Sequence, residues 1–218
     1  MSRYSTLLIS FISFLIAGHV SADPLPDEDP FEKAAAVNEG TLNLLAHAPD
    51  EPAHHHDNRL TISEKSLISG WVGMEHCHYH IEPVPRAEIV FTAGRVRKLD
   101  VTHNEGIASA SVEAHSVQLE DIGHGAMLCI GGETLGIERQ DGTYVLRNGP
   151  FMRRFLDGYY PMHVTLEVSF PERLTLVDQV PAAQPGLRVE QAPGHARLDI
   201  WFEGILETRL FFRPGETR

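Results

Sequence analysis

The strongest constraint on the fold is a strict alternation of apolar and polar residues towards the C-terminal end of the chain. Apolar residues occupy every second position over 164–170, and the pattern returns over 196–202 and 206–212. A period of two buries one side of a strand and leaves the other side in water, whereas a helix repeats every three or four residues. These segments predict β-strands. A short turn predicts that the last two form a hairpin, with Asp199 opposite Arg209.

Turn residues extend the β pattern through most of the chain. Asp141-Gly142 predicts a hairpin that brings Ile137 opposite Leu146. After residue 58 no segment has the long amphipathic pattern of a helix, so the crossover helices of a parallel sheet are missing. The sequence therefore predicts an all-β fold, a single antiparallel β-sandwich of the immunoglobulin-like or jelly-roll type.

The N-terminal residues have the composition of a cleavable export signal. Arg3 precedes an apolar run from Leu7 to Gly18, and small residues up to Ala22 lead into Asp23. A membrane-spanning helix needs roughly 20 apolar residues, which is more than this run contains. We therefore expect a signal peptide over residues 1–22, a periplasmic or secreted protein, and no transmembrane segment after cleavage.

The next stretch, residues 23–58, is rich in proline and acidic residues and ends in the tract His54-His55-His56. It predicts an acidic, partly disordered tether with a possible short helix after Asp29, followed by a β-sandwich domain over residues 59–218. The net charge of the whole chain is −12. Nucleic acids and anionic lipids reward clustered cations, so neither is an expected partner.

The chain has two cysteines, Cys77 and Cys129. In an exported protein, two cysteines predict one disulfide. Closing a loop of this length stabilises a fold by roughly 4 kcal/mol in the chain-entropy model. The alternative is a pair of free thiols, one of them a ligand for a soft metal.

A histidine-rich segment, residues 71–82, carries the main functional signal. On a strand, His76, His78 and His80 would project from one face, about 6.6 Å apart, while Cys77 points to the other. Two such imidazoles can approach one ion, and imidazole suits copper, zinc, iron and nickel. Further ligands must come from elsewhere, and the candidates include His103, His115, His124, His163, Glu82 and the tract at 54–56.

This segment predicts a non-catalytic copper or zinc site. No methionine cluster accompanies the histidines in the sequence, which argues against a dedicated Cu(I) carrier. The alternative is that the histidines occupy the wet face of an exposed strand and have no function. The sequence leaves the metal and the oligomeric state open.

An enzyme is the third hypothesis. Gly70, His76, His78 and Glu82 resemble part of the first cupin motif, which would imply an iron or manganese enzyme. The sequence departs from that motif at Ile89, where it would have glycine, and no second motif supplies the last histidine. No nucleophile motif or phosphate-binding glycine loop is present, so we predict no catalytic residues.

A second cluster combines arginines with aromatic residues in an otherwise acidic chain. Arginine accepts anions and stacks on rings, so this segment predicts an envelope interaction or ligand-binding module as the alternative function. The structural alternative is a connection whose aromatic residues close one end of the sandwich. The residues concerned are Phe151, Arg153, Arg154, Phe155, Tyr159 and Tyr160.

Overall fold

The computed structural model describes residues 38–50, 52–155 and 158–215. The predicted signal peptide and the tether up to residue 37 lie outside them. The strands are β1 (Asn43–Leu44), β2 (His54–Thr61), β3 (Trp71–Tyr79), β4 (Arg86–Val90), β5 (Val96–Glu113), β6 (Ser116–Leu135), β7 (Ile137–Gln140), β8 (Thr143–Phe151), β9 (Arg154–Phe155), β10 (Gly158–Tyr159), β11 (Met162–Ser169), β12 (Leu174–Val180), β13 (Leu187–Ala192), β14 (His195–Glu203) and β15 (Leu206–Pro214). One short helix, α1 (Ser66–Ser69), precedes β3. None of the described helical residues forms a segment long and apolar enough to cross a membrane.

The strands form two main sheets, which confirms the all-β prediction. The large sheet has the order β1-β14-β11-β2-β3-β6-β4, with β13 also paired to β14 and β5 also paired to β6. The small sheet has the order β12-β15-β8-β7, and β9 and β10 form a separate two-stranded sheet. Pairing is antiparallel except between β2 and β11, which run parallel.

The core lies between the inner faces of the two sheets. Val164, Leu166 and Ile200 of the large sheet are fully buried, and so are Leu210 and Phe212 of the small sheet. Fully burying a side chain of this kind stabilises a fold by about 1.5–3 kcal/mol. The predicted alternation over 164–170, 196–202 and 206–212 is therefore confirmed as the inner face of β11, β14 and β15.

The predicted hairpin of the last two strands is wrong. β14 belongs to the large sheet and β15 to the small one, so Asp199 aligns with Thr165 while Arg209 aligns with Arg147. Alternation determines which face is buried but not which strand is the neighbour. Gly204 lies between the strands with φ +87°, and a Cβ there would meet Thr41 O at 2.1 Å. By contrast, the hairpin with Ile137 opposite Leu146 is confirmed.

The tether prediction is wrong for its last residues, because the boundary at residue 58 falls inside β2. This strand lies within the large sheet, between β11 and β3. No helix reaches residues 43–44, which form β1 on the edge of β14. Both faces of β2 begin with polar side chains, so the start of the strand has no apolar alternation by which to recognise it.

Candidate metal site: a buried histidine cluster

Four histidines of β2 and β3 lie together on the inner face of the large sheet. The two strands pair antiparallel, with His56 opposite His78 and Asn58 opposite His76. His54 lies on the same face of β2 as His56, two residues earlier. We call His54, His56, His76 and His78 the histidine cluster. It continues the row of apolar residues that forms the core.

The rings of the cluster contact one another directly. The His56 and His78 rings are stacked with centroids 4.3 Å apart, and His56 meets His76 edge to face at 4.7 Å. His54 Nε2 and His78 Nδ1 are 2.9 Å apart and share a hydrogen bond. The three rings other than His54 are buried, with 4–6% of each residue exposed.

Apolar rings close the cluster on two sides. Phe151 of β8 meets His56 edge to face, with centroids 5.2 Å apart, so the cluster reaches across the core to the small sheet. Phe91, which follows β4, lies 5.6 Å from the His76 ring. The histidines therefore occupy positions that apolar side chains would fill in an ordinary sandwich core.

Several polar atoms of this region have no hydrogen-bond partner in the described part of the chain. They include Nε2 of His56, His76 and His78, and both side-chain atoms of Asn58, a residue with no exposed surface. A buried polar atom without a partner costs about 1–3 kcal/mol. Three such imidazoles in one core therefore lower the stability of the folded protein.

Burial keeps these imidazoles uncharged. It lowers the pKa of His76 to about 4. Burial, followed by the nearby Arg153 guanidinium, lowers the pKa of His54 to about 4. The pKa values of His56 and His78 lie well below the usual range, first because of burial and then because of the neighbouring histidines. At neutral pH each ring therefore keeps a nitrogen lone pair that can bind a metal.

The cluster is not a finished coordination shell. Within residues 38–50, 52–155 and 158–215, no three His, Cys, Asp or Glu side chains are arranged to hold a metal ion. The rings of His56 and His78 lie nearly parallel, 22° apart, so their planes pack against each other rather than converge. Binding an ion would require the rings to rotate about their side-chain bonds.

The opposite, outer face of the same strands carries a ladder of stacked rings. The ladder runs from Tyr79 on β3 through His55 on β2 and His163 on β11 to Trp201 on β14. Its successive ring centroids lie 5.5, 4.2 and 4.2 Å apart. Half-burial lowers the pKa of His55 to about 4 and also lowers the pKa of His163. His55 Nε2 bonds to the Thr165 hydroxyl at 2.9 Å. His163 Nε2 lies 3.3 Å from Asp199 Oδ1, so both outer-face histidines have a polar partner, unlike Nε2 of His56, His76 and His78.

The arginine and aromatic segment packs against the same end of the sandwich. Phe151 is buried beside His56, so it is not available to a partner. Arg153 pairs with Glu82 and donates to the Pro161 carbonyl at 3.3 Å. Its guanidinium also lies about 5.5 Å from the Tyr160 ring. Arg154 lies over Tyr159, and Phe155 is 40% exposed.

The comparisons with known proteins identify no family. No protein-family model matches the sequence, and no curated protein matches it. Among solved structures, it is similar to an M1 zinc metallopeptidase from Deinococcus radiodurans, in a mutant form bound to a Tyr-Ser-Ala substrate. The identity is 14% and the TM-score 0.43, over 80% of this chain and 43% of that one. It is also similar to a two-domain M1 zinc metallopeptidase mutant bound to L-arginine. Here the identity is 13% and the TM-score 0.44, over 82% of this chain and 44% of that one. The chain spans less than half of those proteins, and at these scores the likeness carries no argument about function.

The structure places the predicted site residues differently from the sequence. His76 and His78 share a face of β3 as predicted, but that face is the inner one. His80 does not join them, because β3 ends at Tyr79 and His80 is exposed with φ 55°. The prediction that His80 shares a strand face with His76 and His78 is therefore wrong.

The disulfide between Cys77 and Cys129 is confirmed, and it joins opposite residues of β3 and β6. Cys77 lies on the face of β3 opposite to His76 and His78, as predicted, and the histidine face is the one that carries the core. Alternation separates the two faces of a strand without saying which one is covered by the second sheet.

The other predicted ligands lie outside the histidine cluster. His103 is exposed on β5, 3.8 Å from Glu105, and His115 occupies the turn between β5 and β6. The Glu82 carboxylate is bound to Arg153. The sequence named the tract at 54–56 only as a mobile candidate. The signal that identifies His54 and His56 is their alternation, the same His-x-His spacing as in β3.

Proposed function

We propose that this protein binds a transition-metal ion, copper or zinc, at the histidine cluster. The observation that carries the proposal is the set of three buried Nε2 atoms, on His56, His76 and His78, without a hydrogen-bond partner. An ion would give these atoms a partner and offset the free energy lost by burying them. Neutral imidazole is the ligand form that copper and zinc accept.

The spacing of the rings supports this reading. Two nitrogens that share an ion at about 2.0–2.1 Å can lie no more than about 4 Å apart. His54 Nε2 and His78 Nδ1 are 2.9 Å apart, and the centroids of neighbouring rings lie 4.3–5.2 Å apart. Rotation of the rings about their side-chain bonds would be needed to aim further nitrogens at the same point.

We infer binding rather than catalysis. A catalytic metal keeps an open position that a substrate can reach. His56, His76 and His78 are 4–6% exposed, and Phe151 and Phe91 cover two sides of the cluster. A site enclosed in this way suits storage, transport or a structural ion.

Export is a second part of the proposal. Residues 1–22 have the composition of a signal peptide, and a disulfide suits an oxidising compartment. The intact mass of the protein recovered from a periplasmic extract tests this part. An intact mass equal to that of a chain starting at Asp23 supports export. Full-length protein confined to the cytoplasm contradicts it.

The metal itself is tested by elemental analysis of protein prepared without a histidine tag. We expect close to one copper or zinc ion per chain after dialysis. The variant His56→Leu/His76→Leu/His78→Leu should lose it while keeping the β-sheet circular dichroism spectrum.

The matched control is His103→Leu/His115→Leu/His124→Leu, which removes the same number of histidines from outside the cluster. It should keep the ion. Equal, substoichiometric metal in all three proteins would overturn the proposal.

A further inference from the structure

We propose that the ion selected by the histidine cluster is monovalent Cu(I) rather than a divalent ion. This inference rests on the proposed function and narrows it to one ion. Three features of the described residues lead to it: two buried thioethers beside the histidines, a set of donors without any negative charge, and a guanidinium at the end of the cluster.

The thioethers belong to Met74 and Met162, which are far apart in the sequence. Met162 of β11 is the register partner of His54 in the parallel pair. Met74 lies two residues before His76 on β3, and so on the same face. Both are buried, at 3% and 6% exposed. The pairing of β2 with β11 therefore brings a second methionine onto the face that carries the histidines, and thioether sulfur is a soft ligand that favours Cu(I).

The inner faces of β2 and β3 offer only uncharged donors. The side chains that could bind a metal there are the four histidines, Asn58 and Met74. The other residues of these faces, Leu60 and Val72, are apolar. Asp57, the acidic residue of β2, is on the outer face, where Arg59 holds it at 2.6 Å. The free energy of moving an ion out of water grows with the square of its charge, so a divalent ion costs about four times as much as a monovalent one. No carboxylate lies on these two inner faces to offset that difference.

Arg153 adds positive charge at the same end of the sandwich. It donates to the carbonyl of Pro161, the residue before Met162, which aligns with His54. Phe151, which lies two residues before Arg153 in the sequence, contacts His56. Glu82 forms a direct ion pair with the guanidinium and offsets part of its charge. A divalent ion is repelled by this cation about twice as strongly as a monovalent ion at the same distance.

The test compares the affinities of the metal-free protein for two ions. Cu(I) is titrated anaerobically against bicinchoninate, and Zn(II) against a chromogenic zinc chelator. We expect one Cu(I) per chain, bound at least about 100-fold more tightly than Zn(II). Tighter binding of Zn(II) would overturn this inference and leave the proposed function standing. Binding of neither ion would overturn both.

The thioethers are tested with Met74→Leu/Met162→Leu, which keeps the side-chain volume. We expect Cu(I) affinity to fall by about tenfold or more, with Zn(II) affinity unchanged. The control is Met127→Leu, which aligns with Tyr79 on the outer side. Undiminished selectivity in the double variant would overturn the role given to the thioethers.

Substitutions of the two partners of the Arg153–Glu82 ion pair should have opposite effects on Zn(II) affinity. Arg153→Met should strengthen Zn(II) binding, Glu82→Gln should weaken it, and the double variant should lie near the wild type. A merely structural pair would weaken binding in both single variants. Arg154→Met, next to Arg153 in the sequence, is the control and should change nothing.

Discussion

Replacing His76 by leucine should make the metal-free protein more stable. The Nε2 atom of His76 is buried without a hydrogen-bond partner, and the ring lies against Phe91 and His56. Removing an unsatisfied polar atom of this kind recovers about 1–3 kcal/mol, and leucine has a similar volume. We therefore expect the free energy of unfolding of His76→Leu at pH 7 to exceed that of the wild type by that amount.

The same substitution should reduce the loss of stability in acid. Burial lowers the pKa of His76 to about 4, against 6.5 for an ordinary histidine. Between these two pH values His76 is protonated in the unfolded chain but not in the folded chain. The free energy of unfolding therefore falls as the pH falls from about 6.5 towards 4. From pH 7 to pH 5 this one histidine accounts for about 2 kcal/mol, which the variant should not lose.

Urea unfolding followed by circular dichroism, with EDTA present, measures both effects at pH 7 and pH 5. The control is His103→Leu on β5, whose side chain is 48% exposed and which should leave stability and its pH dependence unchanged. If His76→Leu were less stable at both pH values, with the same pH dependence as the wild type, the reasoning would be refuted. The buried ring would then have partners that stabilise it.

Three further predictions test other parts of the account. Removing the disulfide with Cys77→Ser/Cys129→Ser should lower the free energy of unfolding by about 4 kcal/mol, because the bridge spans 52 residues; denaturant unfolding with an unchanged midpoint contradicts this. Gly204→Ala should destabilise the fold by about 1–3 kcal/mol or more, since φ is +87° and its Cβ would meet a backbone oxygen; a melting temperature equal to that of the wild type contradicts it. His80→Ala should retain the full metal content, because His80 lies outside the cluster; loss of the ion in elemental analysis would return this residue to the site.

The sequence predicts those features that depend on a single strand. Alternation identified the inner faces of β11, β14 and β15, and the Asp141-Gly142 turn gave the correct register of β7 and β8. Outside this hairpin, alternation did not predict which strands are neighbours. The last two strands bury their apolar faces equally well in opposite sheets, so their pattern alone does not distinguish a hairpin from a crossing between sheets.

The candidate site depends on such a pairing and was only half predicted. The spacing of His76 and His78 showed that they share a face, but their burial depends on residues distant in the sequence, among them Phe91 beside His76 and His56 stacked on His78. His54 and His56 join them because β2 pairs with β3 in one particular register. Met162 joins through the parallel pairing of β2 with β11. Contacts between residues so distant in the chain are set by topology, which local patterns do not encode.

The buried Nε2 atoms of His56, His76 and His78 are the proposed ligands of the ion. Long-range ¹H–¹⁵N NMR of the histidine side chains observes these atoms directly, before and after one equivalent of Cu(I) or Zn(II). We expect large ¹⁵N shifts at Nε2 of at least two of these rings for one of the ions, with the signals of exposed His103 and His124 unchanged. Shifts confined to exposed histidines, with the buried rings unaffected by either ion, would contradict it.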